Sequence, residues 1–409
     1  MRDKQIILND PVYGFITIQC PLVFELVNHP YFQRLRRIKQ LGLTYLVFPG
    51  ALHTRFQHAI GAVHLMQEAL ESLRSRGVNI SCEEYEAACI AILLHDVGHG
   101  PFSHALERSI INNVDHEDLS LMIMEKLNQA FDGRLSLALR IFTDNYERRF
   151  FHELISSQLD VDRLDYLNRD SFFTSVAEGV IGVDRILKMM SVKNDQVVYD
   201  EKGIYSIENF LIARRSMYWQ VYLHKAVLGA EHALLKVLLR AKQIFKAGES
   251  LFLTTALRYF FENEINLMDI SKREAALNAF IALDDYDVMT CIKEWVHHSD
   301  KVLSILCDTI MSRRLFKVEI SSQPISEEYI QQVRDHYKKM YGLKAEGIEF
   351  LVFTGATTTR TYNSEENTIN IMNKAGEVTD VVEASDQFNL ALLSRPVKKY
   401  YICYPKIKR

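Results

Sequence analysis

The sequence predicts a mainly α-helical protein that ends in a small α+β part, and three observations carry that reading. Eight prolines and 17 glycines are few breaks for 409 residues, which favours long helices over a strand-and-turn architecture. Apolar residues recur at helical spacing through most of the chain as far as about Arg313, the mark of helices with one face in a core. Beyond residue 312 the pattern changes to short strand-like runs. At 48% hydrophobic content the chain can bury a large domain over 1–312 and a smaller α+β one over 313–409.

Residues 1–20 read as two extended runs, QIIL and GFITI, around a turn at Asn9-Asp10-Pro11. Pro21 to Arg76 is helical in pattern, broken at Pro49-Gly50. Glu83 to His95 is a helix opened by Ser81. Gly98 and Gly100-Pro101 interrupt it, and a new helix starts with Pro101 in its first turn, where the missing N–H costs little. Phe151 to Asp170 reads as one amphipathic helix, 193–206 as a hairpin turning near Asp200 to Gly203, and Ser206 to about Lys246 as one very long helix. In the last hundred residues, RLFKVEI, EFLVFTG, NTINIM and KKYYICY are strand-like and surround a helix near Glu327 to Tyr341.

Bulk properties exclude several classes. A net charge of −4 gives no general attraction to nucleic acid or to an anionic membrane. The six cysteines are scattered, with no CxxC pair, so neither a disulfide framework nor a thiolate zinc site is expected, and a reducing cytoplasm fits. The longest apolar run, Ala87 to Leu94, is too short to cross a bilayer.

The chemistry concentrates in ILLHDVGHGPFSHALE. His95, Asp96, His99, His104 and Glu107 fall within thirteen residues, behind a run too apolar to be a solvated face. Adjacent helical residues point about 100° apart, so His95 and Asp96 can hold a metal only with ligands from elsewhere. His58 in HTRFQHAIG and Asp162 in DVDRLDYLNRD offer them, although Asp162 alone could simply pair with Arg163. Two imidazoles and two carboxylates suit a single divalent Mn, Fe, Co, Ni, Mg or Zn ion rather than copper(I) or an iron–sulfur cluster.

The runs RLRRIKQLG, VFPGALHTRFQHAIG, HDVGHGPFSH, DHED, DVDRLDYLNRD and YLHK resemble the HD superfamily of metal-dependent phosphohydrolases. Within it they resemble most closely the deoxynucleoside triphosphate triphosphohydrolases, the dNTPase and dGTPase family. The resemblance is dense from about Leu8 to Gly229. It implies an HD-type helical core, and it places His58, His95, Asp96 and Asp162 at the four ligand positions. It implies hydrolysis at the alpha-phosphorus, giving a deoxynucleoside and tripolyphosphate.

The sugar 5′-oxygen leaves poorly without a proton, so a general acid is needed. His104 is the candidate, oriented by Glu107 three residues on, and the spacing resembles the family's catalytic pair. His116, followed by Glu117, resembles a second histidine that contacts phosphate; His99 would serve similarly or cap the loop. Arg55 would share a helix face with His58, and Arg163 adjoins Asp162; both supply positive charge. Asp162, Tyr166 and Asp170 recur every four residues, and Arg214, Tyr218, Tyr222 and Lys225 follow steps of four, four and three, which puts each set on one helix face. A core-packing tyrosine row would look the same. The resemblance instead puts Arg214, Tyr222 and Lys225 at phosphate and sugar, Tyr166 and Asp170 at the ribose 3′-hydroxyl, and Gln40 and Leu41 against the sugar. Tyr222 and Leu41 would leave little room for a 2′-hydroxyl, hence a deoxynucleotide substrate.

Members of that family form oligomers, so a homodimer or homotetramer is expected. Asn28, Gln33, Arg36 and Arg185 resemble positions that contact a nucleotide activator, although Asn28 and Ile6 depart from the residues expected there. Nucleic acid is not an expected partner. The alternatives are an HD-type nucleotidase, phosphodiesterase or nuclease acting on another phosphate ester, and a nucleotide-sensing protein with vestigial activity.

Overall fold

The computed structural model describes residues 6–102, 115–266, 269–270, 274–363, 367–386 and 395–406. It is mainly α-helical, with small sheets concentrated toward the C-terminus. Ser103 and His104 of the HDVGHGPFSH run, and with them the helix expected after Pro101, lie outside the described residues.

An antiparallel hairpin opens the chain: β1 (Ile6–Asp10) pairs with β2 (Gly14–Ile18), Asp10 facing Gly14. The helical core is built on α1 (Arg55–Ser75) and α2 (Cys82–Leu94). In α2, Ser81 Oγ accepts from the Glu84 backbone N–H at 3.1 Å while the Glu84 carboxylate accepts from Ser81 N at 2.7 Å, a reciprocal cap that fixes where the helix begins. Residues Ala88 to Leu94 are almost fully buried. The apolar run is therefore a core helix buried on every side, and no helix among the described residues is long and apolar enough to cross a membrane.

The helix expected over Phe151–Asp170 is two helices, α3 (Phe150–Ile155) and α4 (Val161–Thr174). Asp160 explains the break. Its carboxylate accepts from Ser157 N and Arg163 N, both at 2.7 Å, so the side chain offers the backbone a better partner than a continued helix would. The hairpin comes earlier than expected: β3 (Met190–Lys193) pairs with β4 (Gln196–Asp200), and Asn194 and Asp195 both take positive φ, as a two-residue hairpin turn demands. Asp200–Gly203 instead opens α5 (Ile204–Met217), the Asp200 side chain accepting from Lys202 N.

The single long helix expected over Ser206–Lys246 is also interrupted. After α5 the chain widens into a π turn at Tyr218–Tyr222, then restarts as α6 (Lys225–Lys246) with His224 Nδ1 accepting from Ala226 N. Such widened turns are common at functional sites because they displace side chains from the helical row. Further helices cover Thr255–Glu262, Glu274–Ala282, Asp285–Trp295 and Lys301–Met311.

Beyond them, β5 (Lys317–Ser321), β6 (Phe353–Thr359) and β9 (Val397–Tyr404) form an antiparallel sheet in the order β5-β9-β6. The helix expected near Glu327 to Tyr341 is present. EFLVFTG is not a strand throughout, because Ala345–Leu351 is helical, buries Ile348 and Leu351 three residues apart, and β6 starts only at Phe353. β7 (Asn370–Met372) pairs parallel with β4 and antiparallel with β8 (Val378–Asp380). The last hundred residues thus share a sheet with the β3–β4 hairpin.

Gly61 of α1 sets how closely α4 can approach. A Cβ there would stand 2.1 Å from both Arg169 Nη2 and Asp165 Oδ1. We expect Gly61→Ala to lose about 3 kcal/mol of stability, because it both overpacks the contact and disrupts a buried ion pair. Chemical denaturation checks this, and a loss below about 1 kcal/mol would show that the two helices yield.

Candidate metal centre

Three helices bring the ligand candidates together. His58 stands in the first turn of α1, His95 caps the C-terminus of α2 with Asp96 following, and Asp162 stands in the first turn of α4. His58 Nε2 lies 3.0 Å from Asp162 Oδ1, and His95 Nε2 lies 3.4 Å from the same oxygen. Asp96 Oδ1 is 3.5 Å from His95 Nε2, and its Oδ2 is 3.9 Å from His58 Nε2. Ligands of one small divalent ion each sit about 2.1 Å from it, hence no more than roughly 4.2 Å apart; His58, His95 and Asp162 form a group close enough to hold an ion, while Asp96 approaches the two histidines through different oxygens. His58 Nε2 and His95 Nε2 are buried and make no hydrogen bond among the described residues, which is costly unless something else occupies them. Burial opposes a charge on His58, yet the carboxylates of Asp162 and Asp165 beside it push its imidazole up to about 10. Asp162 resists burial through His58 and His95 and is held well below the usual carboxylate range. The pocket therefore favours positive charge, and its donors fit a divalent cation.

The other ring nitrogens are already committed. His95 Nδ1 meets the Ile92 carbonyl at 2.6 Å, and His58 Nδ1 meets Asp165 Oδ2 at 2.7 Å. Arg169 donates to both Asp165 oxygens at 3.0 Å and to Asp10 of β1 at 2.7 Å. This buried chain fixes the tautomer and ring plane of His58 and turns Nε2 toward the other ligands. Sequence reasoning missed Asp165, Arg169 and Asp10. The i,i+4 spacing of Asp165 and Arg169 was a usable signal; nothing local pointed to Asp10. Arg34 was also missed. Fully buried, it donates to the carbonyls of Val97 at 3.0 Å and His99 at 2.9 Å, bracing the loop after Asp96.

Arg55 donates to Asp96 Oδ2 at 2.5 Å. His99 lies 3.2 Å from Asp96 Oδ1 and stacks on His116 with ring centroids 3.9 Å apart. Burial, then the nearby Arg55 charge, pulls the His99 imidazole down to about 3, so it is neutral at physiological pH. Asp96, His99 and His116 form a second group close enough to hold an ion. His104 and Glu107 lie outside the described residues.

A cleft of about 650 Å³ opens beside the centre. Gln40, Leu41, Arg55, Tyr166, Asp170 and Tyr222 line it, with Phe102 and Tyr218. Tyr222 donates to Asp170 Oδ2 at 2.7 Å, while His53 Nε2, stacked on Phe173, lies 2.7 Å from Oδ1. His53 sits inside the run VFPGALHTRFQHAIG, yet sequence reasoning gave it no role. Burial, and then the Asp170 charge, raises the Tyr222 phenol above its ordinary value, so it stays a donor. His99, Arg163, Arg214 and Lys225 are not on this lining. Arg163 donates to the Ser157 carbonyl at 2.7 Å, and Arg214 reaches Gln158 at 3.5 Å. Of the activator positions, Arg36 lies over the Phe56 ring beside a hollow of about 350 Å³ with Leu8 and Asn9. Gln33 accepts from Arg36, Asn28 donates to the Phe24 carbonyl, and Arg185 donates to the Lys202 carbonyl.

Residues 55–170 match the HD domain and residues 181–241 the HD associated region. YwfO of Bacillus subtilis is 34% identical over 319 residues, 76% of this chain and 71% of that protein. The chain belongs to the HD-domain family. A crystal structure of a phosphohydrolase from Bacteroides thetaiotaomicron superposes on this HD-domain protein with a TM-score of 0.95 at 49% identity, covering 98% of this chain and all of that one. A deoxynucleoside triphosphate triphosphohydrolase SAMHD1 homolog from Dictyostelium discoideum is 29% identical over 61% of this chain, which spans 52% of that relative.

Asp165 touches no ligand position except His58. We expect Asp165→Asn to weaken divalent-metal binding by about 10–100-fold while Asp162→Asn, which removes a donor, weakens it further. Titration of the chelator-treated protein with Mn2+ measures both, and an Asp165→Asn affinity equal to wild type would contradict the bracing role.

Proposed function

We propose that this HD-domain phosphohydrolase hydrolyses deoxynucleoside triphosphates at the alpha-phosphorus, releasing deoxynucleoside and intact tripolyphosphate. The observation that carries the reading is one cleft holding both kinds of group: Arg55, bonded to the ligand candidate Asp96, and the Asp170–Tyr222 pair suited to a sugar hydroxyl. The relatives named as dNTP triphosphohydrolases support it.

His58, His95, Asp96 and Asp162 would hold one divalent cation, Mn, Fe, Co, Ni, Mg or Zn, which supplies Lewis acidity and brings the pKa of water from about 15.7 to roughly 7. Arg55 would neutralise charge on the alpha-phosphate. His99, neutral and stacked on His116, would offer a hydrogen bond without adding charge, with His116 at phosphate. His104, oriented by Glu107, is proposed to protonate the leaving 5′-oxygen. Asp170, held by His53 and Tyr222, would accept from the 3′-hydroxyl, with Tyr166 beside it. Gln40 and Leu41 would pack on the sugar, Leu41 and Tyr222 crowding a 2′-hydroxyl. Arg163, Arg214 and Lys225 would reach the triphosphate only if it extends past the cleft lining. We also propose homo-oligomer assembly, and a nucleotide activator near Arg36 with Asn28, Gln33 and Arg185.

Incubating the metal-loaded protein with each dNTP, alone and in pairs, should release tripolyphosphate, and His95→Ala should abolish it. Release of pyrophosphate or single phosphates would refute this cleavage position. Leu41→Ala should raise the ratio of CTP to dCTP turnover about ten-fold, since exclusion by crowding is modest in energy. An unchanged ratio would remove Leu41 from the sugar wall.

A further inference from the structure

We propose that the end of the cleft where the C-terminal sheet meets α6 is the subsite that reads the nucleobase, and that His232, Thr357 and Tyr401 set base preference. This rests on the nucleotide reading above and adds the groups that choose among nucleotides.

The cleft is electrically polar along its length. Arg55 is the one Lys or Arg on its described lining, and it stands beside the metal ligands. Asp170 and Glu231 are the carboxylates on that lining, Glu231 belonging to α6. A triphosphate is thereby drawn to the Arg55 end, and the uncharged base is left for the other.

That far end is a constructed wall. Leu228, Glu231, His232 and Leu235 of α6 line it, a run of i, i+3, i+4 and i+7 on one helix face. At 1.5 Å per residue this face extends about 10 Å, ample for a purine. Opposite stand Ala356, Thr357 and Thr358 of β6 and Tyr401 of β9. Two glycines bring the sheet this close. Gly355 faces Tyr401 across the strands, and a Cβ on it would lie 2.2 Å from the Tyr401 hydroxyl. The vacant side lets the phenol reach His232 Nε2 at 2.7 Å. Gly229 of α6 lies against β5, where a Cβ would fall 2.9 Å from Val318 Cγ2.

The lining chemistry suits a flat heteroaromatic ring with a hydrogen-bonding edge. Leu228, Leu235 and the Tyr401 ring offer apolar faces. Threonine and tyrosine hydroxyls donate or accept, the imidazole does either, and the Glu231 carboxylate only accepts. A site that hydrogen-bonds an edge discriminates far better than one that merely encloses it.

The test is kcat/KM for all four dNTPs in wild type, His232→Ala, Thr357→Val and Tyr401→Phe, with melting temperature and metal content checked for each. Thr357→Val keeps shape and removes only the hydroxyl's bonding, so it tests the subsite even if Tyr401→Phe loosens the sheet. The proposal expects at least one variant to shift the ratio between two bases about ten-fold or more. Unchanged ratios overturn it, and so does an equal fall for all four bases, which marks a structural role. If wild type releases no tripolyphosphate from any dNTP, the triphosphohydrolase reading fails by itself. Binding of the four deoxynucleosides to wild type and His232→Ala then decides the subsite: base-dependent weakening supports it, and base-independent or absent binding overturns it.

Discussion

The contact between His58 Nδ1 and Asp165, at 2.7 Å, is what the rest of the centre depends on. An imidazole in a helix could present either nitrogen and could rotate about its own bonds. Asp165 fixes both choices, and Arg169 with Asp10 fixes Asp165 in turn. Removing one member of so buried a set leaves an uncompensated charge, which costs about 3–5 kcal/mol. The N-terminal hairpin therefore takes part in shaping a site formed from helices far along the chain, Asp10 lying 159 residues from Arg169.

The same economy appears around the second ligand segment. His95 closes a helix whose residues Ala88 to Leu94 are almost fully buried, so its backbone cannot drift. The loop that follows is braced by Arg34 through two carbonyl oxygens. Arg34 gives up hydration to do so, and burial followed by the Arg37 charge lowers its guanidinium to about 9. Gly98 of that loop packs so tightly that a Cβ would stand 2.3 Å from the His116 carbonyl and from Ser120 N. Rigid donors and a preference for positive charge make this a place that could hold a cation.

Much of this was legible in the sequence because it is local. The apolar helix, the His-Asp pair at its end, the four-residue recurrence of Asp162, Tyr166 and Asp170, and the mainly α class with its late strands all follow from spacing. The breaks were less legible. Asp160 and His224 interrupt the helical runs because their side chains accept from the backbone N–H groups of Arg163 and Ala226, which apolar periodicity does not register. EFLVFTG looked extended because its residues are β-formers, yet Ile348 and Leu351 bury a helical face. Least legible were contacts between distant segments: Asp10 with Arg169, His53 with Asp170, Tyr401 with His232. Each joins residues that nothing in either segment pairs with the other.

The central claim is that donors from three helices share one ion. Anomalous diffraction from crystals soaked in Mn2+ tests it most directly. The account predicts a single strong peak within coordinating distance of His58, His95, Asp96 and Asp162, which vanishes in Asp162→Asn crystals. A peak elsewhere, or none at these four residues in crystals that diffract well, would contradict it.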